Sequence, residues 1–196
     1  MKFIALLLPF ILLACSSSQE KSLGTEVKFE ENLTIGKDLK ASRYSDIFFS
    51  AQPTMDDIKE LKKQGFTHIV NLRAKNEYNE KEERDTIVKE GISYTIAPFK
   101  VNKPVSDKYL DYINRRVGKH RSKGKTLIHC SSGERVATWA GIHFFRDHKY
   151  SQDAALVIAK KIGLTKPELT KTLTDYTSKN AEEAPSQEDS EEDENN

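Results

Sequence analysis

"KTLIHCSSGERVATWAGIHFFRDH", residues 125–148, decides how this chain is read. Lys125 to Cys130 is a short apolar run of the kind that forms a buried strand. From Arg135 to His148 the sequence is unusually apolar for a helix, which predicts a central helix packed on several sides. Between the two lies a tight turn. A strand, a turn and a helix start bring the backbone N–H groups of Ser131, Ser132, Gly133, Glu134 and Arg135 around one point, and the positive end of the helix faces that point too. Gly133 permits the torsion such a nest needs, and Arg135 can fork two donors onto anionic oxygens. Cys130 sits at the centre of this positive field, which favours a thiolate and makes it the candidate nucleophile. An oxyanion held there needs no metal and no cofactor, because the donors themselves stabilise charge spread over a phosphoryl group. The plainer alternative is a structural cysteine at a strand end. His129, Cys130, Gly133 and Arg135 falling at one strand-to-helix junction argue against it. His129, adjacent in the strand, points to the opposite face and reads as a buried histidine rather than a base.

Working outward, the elements alternate. "DIFFSAQPT", residues 46–54, predicts a short strand and a turn, with Thr54 and Asp57 starting a helix that Gly65 ends. "FTHIVNLR", residues 66–73, predicts a buried strand; a charged helix over about 79–90 and a strand "ISYTIAPF" follow. A helix over 106–123 carries Tyr109, Leu110, Ile113 and Val117 on one face. Two more helices are expected at 152–162 and 166–178. This alternation predicts an α/β fold, a small mostly parallel sheet flanked by helices, with ligands outside the carboxyl ends of the strands. Cys130 is at such an end. Trp139, Phe144 and Phe145 read as core. "KHRSKGK", residues 119–125, reads as a solvated helix end or as the rim of an anionic substrate cleft.

The ends of the chain look different. Residues 1–14 resemble a secretory signal: Lys2, then the apolar run "FIALLLPFILLA", too short to span a bilayer. "LLAC" resembles a bacterial lipobox, so Cys15 is the expected lipidation site. Ser16 after it fits sorting to the periplasmic face of an outer membrane in a Gram-negative source. Residues 15–38 read as the lipidated N-terminus and a polar tether, 39–180 as the folded domain, and 181–196 as an acidic disordered tail. The formal net charge is +1, but the tail is entirely acidic, so the remainder is distinctly basic. That agrees with an anionic ligand, and nothing in the pattern points to nucleic acid. A monomer is expected. Lipidation of Cys15 leaves Cys130, the second of two cysteines, without a disulfide partner in an oxidising compartment.

"HCSSGERV" together with "IFFSAQPTMDDIKELKKQGFTHIVNLR" resembles the bacterial dual-specificity-like protein tyrosine phosphatases of the beta-lactamase-hydrolase-like (DUF442) group, over about residues 45–148. The resemblance implies a cysteinyl-phosphate intermediate on Cys130, with Arg135 and the loop amides holding the phosphate of a phosphorylated substrate. Two departures stand out. Four residues separate Cys130 from Arg135, one fewer than in most cysteine phosphatases and equal to the loop of rhodanese sulfurtransferases, whose aspartate-x-arginine segment "NLRAKNEY" echoes. Val136 also replaces the usual hydroxyl residue after the arginine. For the acid that protonates the leaving group, the upstream stretch offers only Asp107, which reads more readily as a first-turn helix residue stabilised by the dipole; Glu134 is the other candidate. Without an acid, aryl phosphates would still react. Two rivals follow from these departures: a sulfurtransferase carrying a persulfide on Cys130, and a catalytically silent phosphate-binding module.

Overall fold

The computed structural model describes residues 29–101 and 103–182. The expected signal segment, Cys15 and the acidic run after Glu182 lie outside the described residues. Along the chain come β1 (Phe29–Ile35), β2 (Leu39–Tyr44), β3 (Ile47–Ser50), α1 (Met55–Lys63), β4 (Phe66–Asn71), α2 (Glu80–Lys89), β5 (Ser93–Ile96), α3 (Asp107–Arg121), β6 (Lys125–His129), α4 (Glu134–His148), α5 (Gln152–Ile162) and α6 (Pro167–Glu182). A single 3-10 turn, Lys75–Glu77, precedes α2.

The strands form one sheet in the order β1-β2-β3-β6-β4-β5. β3, β6, β4 and β5 are mutually parallel, and β1 and β2 add an antiparallel edge. β6 is central, and its alternation divides the protein in two. Leu127 joins Ile58, Leu61, Phe66 and Ile87 in the core beneath α1 and α2. Ile128 and Cys130 face the larger core built by α3, α4, α5 and α6. Period-two geometry therefore sends His129 toward α2 and Cys130 toward α4.

α4 is the central helix that its composition predicts. Trp139, Ala140, Ile142 and Phe144 are fully buried. Neighbouring helices approach so closely at Gly141 that a Cβ there would lie 2.9 Å from Leu173 Cδ2 and 3.1 Å from Ala159 Cβ. Phe145 is only half-buried, against the edge of the same core. The helix start at Thr54 is a reciprocal capping box: Asp57 N–H donates to Thr54 Oγ1 at 3.1 Å, and Thr54 N–H to Asp57 Oδ2 at 2.9 Å.

Among the described residues, strand structure is present ten residues before the expected boundary at 39. Residues 29–38, read as the end of a tether, form β1 and its turn into β2. β1 is a half-exposed edge strand with a bulge between Glu30 and Leu33, and Asn32 takes φ 58°. Such a strand carries little apolar alternation. What fixes it comes from distant residues. Asp57 Oδ1 accepts from the amides of Lys37 and Asp38 at 2.9 and 3.1 Å, and Gln64 exchanges two hydrogen bonds with the Gly36 backbone.

Candidate active site

Ser50, His129, Asn71 and Ile96 pair in one row at the carboxyl end of the parallel strands, and the loop 130–135 begins directly beyond it. Cys130 is fully buried and Arg135 is 9% exposed. Gly133 is the N-cap of α4 with φ 91°, a torsion favouring glycine. This left-handed step turns the Gly133 amide back onto the sulfur: N–H donates to Cys130 Sγ at 3.1 Å. No side chain caps α4, so the first-turn amides of Glu134, Arg135 and Val136 keep the donor capacity that a helix start leaves unused. The loop is tied to the sheet by Gln52 N–H donating to Ser131 O at 3.2 Å and Leu72 N–H to His129 O at 2.9 Å.

The residue that organises the arginine was not foreseen. Arg135 Nη1 and Nη2 each donate at 2.7 Å to one oxygen of Glu77, and Nη2 also donates to Ser131 Oγ at 3.2 Å. Of the five guanidinium N–H groups, Nε–H and one on Nη1 are not taken by Glu77 or Ser131, and the guanidinium also interacts with the Cys130 sulfur. Glu77 is in turn held by the Ala74 amide at 2.8 Å, and its backbone carbonyl accepts from Arg73 Nη2. Arg73 also donates to Gln52 Oε1 at 2.7 Å and stacks over the Tyr78 ring. The segment "NLRAKNEY" thus positions Arg135. The bidentate hydrogen bond from Arg135, opposed by partial burial and helped by the Ala74 amide, pulls the Glu77 carboxyl down to about 2. Glu77 is therefore ionised at neutral pH and carries no proton to donate. Its partner is reinforced: the Glu77 hydrogen bond raises the Arg135 pKa further.

The two carboxyls proposed from the sequence as acids are engaged by other partners. Glu134 accepts from Thr165 N–H at 2.9 Å, Thr165 Oγ1 at 2.5 Å and Lys166 N–H at 3.1 Å. Burial pushes its carboxyl up, but these three donors win and hold it below the ordinary value. Its side chain fastens the loop to the start of α6; only its amide is available to an anion. Asp107 accepts from Tyr176 Oη at 2.5 Å and lies 3.7 Å from Arg146, near the far end of α4 from Arg135. It sits in the first turn of α3 under a Ser106 cap, and its partners belong to the seam of α3, α4 and α6 rather than to the loop. The α3 residue that does approach Arg135 is Tyr109. Its hydroxyl donates to Ala97 O at 2.9 Å; burial raises its pKa, and the guanidinium charge offsets part of that rise.

On the other face of β6, His129 meets a polar cluster. His129 Nε2 lies 3.1 Å from Glu83 Oε1, both side chains being essentially fully buried. Asn71 Nδ2 donates to Glu83 Oε1 at 3.2 Å and to Tyr94 Oη at 2.9 Å, and the hydroxyls of Tyr78 and Tyr94 are 3.1 Å apart. Burial, with the Tyr78 hydroxyl and the Glu83 charge, drives the Tyr94 pKa upward, so that hydroxyl stays a donor. Asn71 Oδ1 also accepts from Arg73 N–H at 2.7 Å, which joins this cluster to the arginine support.

No protein-family profile and no curated protein matches this sequence. Solved structures do. A cysteine-to-serine variant of P. aeruginosa TpbA in complex with pTyr matches at 16% identity and TM-score 0.57, over 70% of this chain and 82% of that one. A DUF442 protein from Shewanella putrefaciens CN-32 matches at 18% identity and TM-score 0.55, over 68% and 87%. Kinase associated phosphatase (KAP) matches at 17% identity and TM-score 0.61, over 77% and 98%. The chain has their fold, a mixed α/β sheet with flanking helices of the dual-specificity-phosphatase type.

Proposed function

We propose that this chain, built on the fold of the cysteine phosphatases, is a phosphomonoester phosphatase of protein tyrosine or dual-specificity type. One observation carries the reading: a sulfur at the carboxyl end of β6 receives the Gly133 amide at 3.1 Å, beside an uncapped helix start and a guanidinium held from behind by Glu77. In the first step the Cys130 thiolate attacks phosphorus, the S–P bond forms and the P–O bond to the leaving group breaks. The loop amides and the two remaining Arg135 donors bind the equatorial oxygens. In the second, water attacks, the S–P bond breaks, and phosphate leaves with thiolate restored and one proton released. Because Glu77 is ionised and Glu134 and Asp107 are bound elsewhere, the leaving oxygen takes its proton from solvent. Aryl phosphates, whose phenolates depart readily, are therefore preferred over alkyl ones, which favours tyrosine-type substrates. TpbA in its complex holds pTyr, in keeping with that preference.

The N-terminal sequence supports an exported lipoprotein anchored through Cys15 and facing the periplasm, with the domain acting as a monomer. Purified, reduced protein is expected to hydrolyse p-nitrophenyl phosphate and phosphotyrosine well ahead of phosphoserine. Transfer of sulfur from thiosulfate to cyanide without phosphatase activity would instead establish the sulfurtransferase, which the four-residue spacing favours. Vanadate binding with no turnover of any aryl phosphate would establish the silent module.

A further inference from the structure

Among the exposed charges, those at the end of α3 stand apart. Residues 112–133 contain no acidic residue, while 115–125 hold six lysines and arginines. Arg115, Arg116, Lys119 and Lys123 are exposed, and none pairs with a carboxylate among the described residues. Arg116 lies over the Tyr112 ring at 5.2 Å. Their fields converge: burial and the charges of Lys123, Lys119 and Arg116 push the His120 pKa down. His120 stacks at 4.0 Å on His68, whose pKa falls to about 3 through burial and the charges of His120 and Arg116.

Strand pairing tells which end of the protein this is. Phe29 pairs with Tyr44, Tyr44 with Ile47, Ile47 with Thr126, and Thr126 with His68. These residues form one row across the amino end of the parallel strands. Lys119 to Lys125 therefore does not rim the cleft at Cys130; it lies at the opposite end of the sheet. Phe29, where the 28 preceding residues join the domain, lies in that same row. So the segment bearing the apolar run and Cys15 joins the domain at the same end of the sheet as the cations, which lie over β6 and β4. Over residues 29–182 there are 28 basic and 21 acidic side chains, so the domain carries a net positive charge toward any anionic surface.

We propose that this basic end docks on an anionic phospholipid surface, with Arg115, Arg116, Lys119 and Lys123 against the headgroups and the Cys130 loop pointing away. The inference rests on the anchoring part of the proposed function, because the entry of the chain at the same end of the sheet as the cations is what selects a membrane as the occupant. Attachment at one point leaves orientation free; cations on the same end of the sheet favour one orientation toward an anionic surface.

The test uses residues 16–196, which lack the apolar run and the anchoring Cys15 and keep every described residue, and vesicles of phosphatidylcholine with or without phosphatidylglycerol. The protein is expected to sediment with phosphatidylglycerol vesicles, in a salt-dependent way, more than with phosphatidylcholine alone. Arg115→Glu/Lys119→Glu/Lys123→Glu should lower that partitioning roughly tenfold or more, leaving hydrolysis of soluble p-nitrophenyl phosphate unchanged as evidence of folding. Equal binding to both vesicles, or charge reversal without effect, overturns the proposal. So does binding that appears only after residues 183–196 are removed, which assigns the patch to the chain's own acidic end. The anchor is read separately, from the mass added at Cys15 in the wild-type chain, so its failure is distinguishable from a failure of docking.

Discussion

The two ends of the sheet treat positive charge in opposite ways. At the carboxyl end, Arg135 is clamped by Glu77, and Arg73 braces the same turn while stacking on Tyr78. At the amino end, Arg115, Lys119 and Lys123 stand in solvent without carboxylate partners among the described residues. A cation that must hold a defined geometry has to be immobilised from behind, and a bidentate carboxylate does so without blocking all five donors. A cation that only contributes to a field needs no such support. The contrast separates recognition by shape from attraction by charge.

Breaking the reactive end at its sulfur should have the largest effect. Cys130→Ser is expected to abolish turnover of p-nitrophenyl phosphate, a loss of about four orders of magnitude or more, as for nucleophiles generally, while vanadate or phosphate still binds. Retained activity in that variant would rule out the covalent route. Arg135→Lys should come next, with kcat/KM down by roughly a hundred- to a thousandfold, the scale for losing a transition-state donor. A lysine is a point charge and cannot bridge Glu77 and an equatorial oxygen in one plane. A tenfold loss or less would mean that charge suffices and planarity does not matter.

Glu77→Gln sharpens the comparison, because it keeps the shape of the clamp and removes its charge. Steady-state kinetics should show a fall of about tenfold in kcat/KM, the equivalent of about 1.4 kcal/mol of lost orientation. The same variant makes a pH prediction. The folded-state pKa of Glu77 is depressed from 4.5 to about 2, so the pair adds stability that is full above 4.5 and fades as pH falls toward 2. Thermal melts of wild type and Glu77→Gln should differ at pH 6 and converge near pH 2. A gap unchanged across that window would show that the carboxylate contributes packing and not charge.

His129 and Cys130 show how far a single strand can be read. Their opposite orientations follow from strand periodicity alone, and the structure places one against Glu83 and the other in the core below α4. The same holds for α4, whose apolar surface on all sides required neighbours, and for the Thr54–Asp57 cap. Three things were not legible. β1 is polar and bulged, and is held by Asp57 and Gln64 from beyond the next two strands. Glu77 sits in an unremarkable charged stretch, although an acid four residues after Arg73 in "NLRAKNEY" was the available signal. Asp107 looked suitable by position, yet Tyr176 and Arg146 claim it, and both come from later in the chain.

Local chemistry in the sequence thus determined the alternation of strands and helices, the left-handed turn at Gly133 that follows β6, and the side of β6 on which the sulfur lies. Those depend on backbone geometry and periodicity over a few residues, which any stretch carries within itself. The partner of each charge was decided only in three dimensions: Glu77 for Arg135, Thr165 for Glu134, Tyr176 for Asp107, and none among the described residues for Arg115 and Lys119. A carboxylate becomes an acid, a clamp or a helix fastener according to the donors that surround it, and those donors are contributed by elements distant in the chain.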